Sequence, residues 1–236
     1  MTENGKILQG HSDPEKGAYL GAIASIATAD RQASEEEMDY IAELCQAADL
    51  SPEQGESVMR AATELSSDEL TRCLDILKKS DLRFSLVTDL MAFAKSDENY
   101  NEAEQANVEK IANYLGVNEQ QFSLLDQFAE KTKTSEIPAT ENNHQHFLSS
   151  LGMKEKLKSA GIDGGGLLKG LIGFAGPMIL SGLLSRNVGR GRSSAANGNN
   201  GIGGFGGLSS IIGMLNGGRG FGSTGGLLGK ILSRGV

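Results

Sequence analysis

Two acidic stretches decide the architecture of this 236-residue chain. Residues 26–44 read IATADRQASEEEMDYIAEL, and residues 93–111 read FAKSDENYNEAEQANVEKI. Each stretch begins with an apolar residue, Ala, one variable residue, a small residue and Asp. A Ser or Asn follows four positions after that Asp, and a Glu follows seven positions after it. The two aspartates, Asp30 and Asp97, are 67 positions apart. The same acidic turn therefore occurs twice in the chain, each time between two predicted helices.

The repeat extends beyond the turns into the sequence that flanks them. Leu44 aligns with Ile111 at the same spacing of 67 residues, and the residues that follow keep the alignment. Apolar residues recur at helical spacing on both sides of each turn, which predicts one buried face on each helix. Residues 17–48 and 84–115 are therefore predicted to be related helix pairs in an all-α bundle with pseudo-two-fold character.

Helix-start signals extend this prediction over the whole N-terminal half. Residues 34–37 read SEEE, 66–69 read SSDE and 101–104 read NEAE, which fit the capping box or its Asn variant. Pro52 follows Ser51 at a first helical position, where its missing N–H is tolerated. The seven predicted helices are 17–29, 34–48, 52–65, 67–79, 82–96, 102–115 and 119–130.

Composition divides the chain into two unlike parts. Residues 1–160 carry 15 Lys and Arg against 29 Asp and Glu, whereas residues 161–236 carry 7 against a single Asp. Aromatic residues make up 5% of the chain and Trp is absent, which disfavours a large β-sheet core. The predicted parts are a disordered N-terminus (1–16), a helical domain (17–130), a polar linker with a short amphipathic helix (131–160) and a mostly disordered, Gly-rich basic tail (161–236).

The helical region resembles the tellurite-resistance TerB-like family of bacterial proteins. The resemblance is carried by YLGAIASIATADRQASEEEMDYI and by DLRFSLVTDLMAFAKSDENYNEAEQANVEKIANYLGVNEQQF, and it covers roughly residues 17–130. It implies a compact seven-helix domain with an acidic face, a role in stress resistance, and a metal ion as a proposed ligand. The family often has Gly after each turn aspartate, where this chain has Arg31 and Glu98. Arg31 places a positive charge beside the first turn.

The acidic turns have a structural and a functional interpretation. In the structural one, each Asp closes an Asx turn and each Glu completes a capping box, so no ligand is needed. In the functional one, four carboxylates meet across the pseudo-dyad and bind a divalent cation such as Ca²⁺ or Mg²⁺, or dock a basic protein partner. The resemblance implies the same positions as the family's acidic site. These residues are Asp30, Glu37, Asp97 and Glu104.

Other motifs give no catalytic or nucleic-acid site. Residues 97–108 do not form an EF-hand, because position six is Glu102 and position twelve is Val108. No His lies near a Ser or Cys in a helical pattern that would form a nucleophilic pair, so no enzymatic activity is predicted. The tail's GIGGFG follows no strand, which argues against a dinucleotide fingerprint, and its Gly-Arg dipeptides are too few to predict RNA binding.

The tail suggests a second function of a different class. Residues 167–184 carry one charge among eighteen residues and are followed by Arg186, Arg190 and Arg192, a length that barely reaches a bilayer span. Three segments of the tail begin Gly-Gly-Leu, which favours self-association. The alternative is therefore a membrane-associated adaptor. Since the N-terminus has no signal-peptide pattern, the predicted location is the cytoplasm, peripheral to or anchored in the inner membrane.

Overall fold

The chain folds as an array of α-helices with no strand in the parts that the structure describes. This computed structural model describes residues 7–27, 35–63, 67–96, 102–132 and 141–172. The prediction of an all-α fold is confirmed over these ranges. The helices are α1 Asp13–Ala27, α2 Glu35–Ala47, α3 Pro52–Thr63, α4 Ser67–Leu77, α5 Leu82–Ser96, α6 Glu102–Tyr114, α7 Glu119–Thr132, α8 Glu141–Ser150, α9 Lys154–Ser159 and α10 Gly164–Gly170.

The helix-pair repeat is visible in the helix bounds. Helices α2 and α6 both contain 13 residues and begin at Glu35 and Glu102, which are 67 residues apart. Helices α1 and α5 both contain 15 residues and precede the two acidic turns. The pairs α1–α2 and α5–α6 each pack together, and α1 also packs on α5.

The repeated helices also end in the same way. After α2, Asp49 takes a positive φ of 56° and the Leu50 N–H donates to the Cys45 carbonyl at 3.1 Å. After α6, Gly116 takes a φ of 74° and the Val117 N–H donates to the corresponding carbonyl at 2.9 Å. Both are Schellman ends, in which a left-handed residue lets the chain satisfy a free carbonyl. The repeat therefore fixes backbone conformation as well as apolar positions.

Helix α1 begins earlier than the sequence predicts. The prediction treats residues 1–16 as disordered, whereas α1 starts at Asp13 and the side chain of Leu8 is fully buried. Glu15 supplies the reciprocal half of a capping box at this helix start, because the Ser12 N–H and hydroxyl both donate to its carboxylate. The Ile7 N–H donates to the Ala47 carbonyl at 3.1 Å and holds the N-terminal segment against α2.

Small residues on α1 let neighbouring helices approach closely. Helix α1 packs extensively against α3 and α4. A Cβ atom added at Gly21 would lie 3.2 Å from the Cys73 Sγ atom, which is tighter than most real contacts. Cys73 and Cys45 are both free thiols, and burial raises the pKa of each to about 11. Both are therefore uncharged core side chains at neutral pH.

Three helices beyond residue 130 pack on the bundle. The prediction assigned residues 131–160 to a linker and 161 onward to the tail, but α9 contacts α7, and α10 contacts α5 and α8. Buried aliphatic side chains make these contacts. The contacts were not predicted from the sequence because this region has low helix propensity and high Gly content. The buried side chains include Leu148, Leu157, Ile162, Leu167, Leu168, Leu171 and Ile172. Residues 173–236 lie outside the described parts.

Candidate functional site: the acidic-turn end of the bundle

Helices α1 and α5 run in the same direction. Near the helix starts, the Ser80 hydroxyl hydrogen-bonds to the Glu15 carboxylate. Near the helix middles, the Tyr19 hydroxyl donates to Asp89 Oδ2 at 2.5 Å. Two contacts in the same order along both helices mean that the ends of the helices, Ala27 and Ser96, lie on the same side of the bundle.

The predicted carboxylates follow these two helix ends in the sequence. Asp30 and Asp97 lie outside the described residues. Glu37 and Glu104 are each the third residue of their helices, α2 and α6, a position that suits a capping-box glutamate. Their side chains lie outside the described part of the structure, so the meeting of the four carboxylates stays a prediction.

A buried polar cluster lies midway along the helices that lead to the turns. Asp89 is fully buried on α5, and its Oδ2 accepts from the Tyr19 hydroxyl and, at 3.1 Å, from the Ile172 N–H. Burial and the Asp89 charge raise the pKa of Tyr19 well above its usual value. Tyr40 on α2 is 5% exposed, and burial followed by the Asp89 charge raises its pKa as well. Both phenols are therefore uncharged at physiological pH.

Asp89 is not among the predicted site residues, although the sequence carries a signal for it. Asp89 lies seven residues after Leu82 and three after Leu86, which places it on the buried face of α5. A carboxylate at a core position needs hydrogen-bond donors. The signal was an acidic residue inside an apolar stripe, and the donor from Ile172 could not be foreseen because that residue is distant in the sequence.

The described residues outside the turns supply no metal site. Within those ranges, no group of three or more His, Cys, Asp or Glu side chains is arranged to hold an ion. His144 is buried and His146 is exposed on α8, so the HQH motif points in two directions, as residues two apart on a helix do.

Comparison with known protein families assigns the bundle. The family model described as tellurite resistance protein TerB matches residues 16–127. Residues 16–127 belong to the TerB family. The matched region spans most of α1 to most of α7, and α8, α9 and α10 lie outside it. Neither curated proteins nor solved structures gave a match.

The segment with membrane-like composition begins inside the packed structure. Leu167, Leu168, Leu171 and Ile172 are the first aliphatic residues of the stretch 167–184, and all four are buried against the bundle. Among the residues that the structure describes, no helix has the length and apolar character needed to cross a membrane.

Proposed function

We propose that the chain is a non-enzymatic, tellurite-resistance-type stress-response module that binds a divalent cation or a protein partner through its paired acidic turns. The supporting observation is the parallel course of α1 and α5, set by the Glu15–Ser80 and Tyr19–Asp89 contacts. Because α1 and α5 have equal length and run in parallel, the helix ends that precede the two turns lie on one side of the bundle. The TerB-family match over residues 16–127 gives the family context for such a module.

The chemistry of the turns favours a hard cation as the first ligand to test. Asp30, Glu37, Asp97 and Glu104 offer only oxygen ligands, which suit Ca²⁺ and Mg²⁺. Carboxylates held close together repel one another unless a cation or protons neutralise them. Arg31 contributes an opposing charge beside Asp30, so we expect the second turn to supply the stronger ligands.

Amide NMR spectra recorded during titration with CaCl₂ or MgCl₂ test this proposal. If one site spans both turns, the amides of residues 28–37 and 95–104 shift together with a single apparent affinity. ZnCl₂ provides a third probe with a different ligand preference. Shifts confined to one turn, or an absence of shifts with all three cations, would contradict a shared cation site and leave a protein partner as the ligand to test.

The second candidate function is a membrane-associated adaptor, and burial of residues near 170 limits which part of the tail could attach to a membrane. The apolar stretch 167–184 could attach to a membrane while the TerB domain presents its surface, but five of its first six residues are buried against the bundle. We therefore assign any membrane attachment or tail self-association to residue 173 and beyond. The chain would then remain peripheral or be anchored with its bundle intact.

Deletion of residues 173–236 tests the adaptor. In cell fractionation the full chain is expected in the membrane pellet and the shortened chain in the supernatant, with α10 retained in both. Gly165→Ala in the full chain is a control, since the nearest atoms to a Cβ at this position are at an ordinary distance of 3.7 Å. Equal distribution of the full and shortened chains would exclude the adaptor.

A further inference from the structure

Residues 164–172 dock on the TerB domain at a defined site on α5. Ser85 and Asp89 lie one turn apart on α5, inside the family-matched region, and both contact this later segment. The Ser85 hydroxyl donates to the Leu167 carbonyl at 3.0 Å, and the Ile172 N–H donates to Asp89 Oδ2 at 3.1 Å. Both contacts are made to the backbone of the segment, so they fix its register on α5 independently of its side chains.

The docking site leaves room only for glycine at one position of the segment. A Cβ atom at Gly170 would collide with the Ser85 side chain and lie 2.8 Å from Leu82 Cδ2, a distance that real Cβ atoms do not show. Gly165 on the same helix has its nearest atom at 3.7 Å. The close approach at Gly170 is therefore a property of the docked position and not of α10 in general.

One carboxylate oxygen joins the docked segment to both helices that lead to the acidic turns. Asp89 Oδ2 accepts from the Ile172 N–H and the Tyr19 hydroxyl, so the end of segment 164–172, α5 and α1 meet at a single buried atom. If the segment undocked, the Asp89 carboxylate would lose a hydrogen-bond donor and the covered face of α5 would become accessible to water. Residues 173–236 continue directly from Ile172.

We propose that segment 164–172 is a docked latch that couples the Gly-rich tail to the acidic-turn end of the bundle through Asp89. Docking holds α1 and α5 in register at Tyr19 and Asp89. Undocking, by a ligand or assembly that engages the tail, loosens both helices toward Ala27 and Ser96. This inference concerns the coupling alone and does not require the turns to bind a cation.

Hydrogen–deuterium exchange of the full chain with Gly170→Ala tests the latch. We expect exchange in residues 162–172 to rise about tenfold, and exchange at the two helix ends, 19–27 and 89–96, to rise about threefold. Gly165→Ala adds the same methyl group to the same helix, and we expect it to leave both regions within about twofold of the original chain. Circular dichroism checks that each variant keeps its helices.

Two results would overturn the latch. In the first, Gly170→Ala frees residues 162–172 but leaves the ends of α1 and α5 unchanged, so the segment is only a cover. In the second, Gly170→Ala leaves the segment protected. If Gly170→Ala fails to fold, Asp89→Ala decides, because it removes the acceptor of the Ile172 N–H and the Tyr19 hydroxyl, with Thr88→Ser as a buried control on the same helix. Unchanged exchange in both regions for Asp89→Ala would also refute the coupling.

Discussion

At the residue scale, the internal repeat is carried by backbone conformation. Asp49 and Gly116 occupy equivalent left-handed positions after α2 and α6, and each is followed by an equivalent carbonyl contact. An Asp tolerates this conformation through local hydrogen bonding, whereas Gly adopts it at no steric cost. The predicted helices 34–48 and 102–115 each end one residue before these positions. Gly116 is typical of a left-handed helix end, whereas Asp49 does not by itself indicate that conformation, because Asp is common in many other turns.

Replacing Gly116 tests the left-handed helix end. Gly116→Ala is expected to lower the free energy of unfolding by about 1 kcal/mol, because φ is +74° there. Gly55→Ala is the matched control, since Gly55 lies within α3 with nothing near its Cβ position, and it should raise stability by about 0.5–1 kcal/mol. Urea unfolding measures both, and a loss for Gly55→Ala equal to that for Gly116→Ala would contradict the assignment.

The cap of α1 predicts a pH dependence. Hydrogen bonds from Ser12 and Ser80 lower the pKa of Glu15 from 4.5 to about 2. A lowered folded-state pKa stabilises the fold above pH 4.5, and this contribution is lost as the pH falls toward 2. Glu15→Gln should therefore cost about 1 kcal/mol at pH 7, and the difference from the original chain should disappear as the pH falls through that window.

Urea unfolding across this pH range provides the measurement for Glu15. Glu109→Gln is the control, because Glu109 is an exposed residue of α6 and the substitution removes the same charge. A Glu15→Gln effect that stays constant from pH 7 down to acid conditions would show that the carboxylate charge does not stabilise the cap.

At the element scale, predictability follows how each helix is stabilised. The seven helices of the TerB domain were predicted because capping residues and apolar stripes agree, and the structure places their bounds within a few residues of the predictions. Helix α10 contains four Gly among seven residues, a composition that disfavours an isolated helix. Burial of Leu167 and Leu168 and the Asp163 cap stabilise it instead. Local sequence patterns do not predict tertiary contacts of this kind.

The Asp163 cap gives a test at this scale. Asp163 accepts hydrogen bonds from the Gly165 and Gly166 N–H groups. Asp163→Ala should cost about 1 kcal/mol of stability, whereas Asp163→Asn should cost little because Asn caps equally well. Thermal unfolding distinguishes them, and equal losses for the two variants would show that the charge of Asp163 matters rather than its cap.

At the scale of the whole molecule, the boundary between the fold and the tail lies later than composition indicates. The change in Gly content and charge near residue 160 suggested that the tail begins there. The packed helical unit instead continues to Ile172, whose backbone bonds to a core carboxylate. Composition is an average over many residues, and a few buried side chains are enough to move a structural boundary.

Two truncations test this boundary. Removing residues 173–236 should leave the unfolding free energy within about 0.5 kcal/mol of the full chain, because Gly-rich sequence buries little apolar surface. Removing residues 161–236 also deletes Leu167, Leu168, Leu171 and Ile172, and should cost more than about 3 kcal/mol. Denaturant unfolding compares them, and equal stability of the two truncated chains would place the boundary at residue 160.

The central claim is that the two acidic turns of the TerB domain act as one site. Calorimetric titration of the full chain with CaCl₂ and MgCl₂ tests it most directly, using Asp30→Asn, Asp97→Asn and the double variant, with Glu155→Gln as a charge-matched control. A shared site predicts that each single change weakens binding about tenfold and that the double variant is scarcely weaker than either. Additive effects of the two substitutions, or affinities unchanged from the original chain, would contradict the claim.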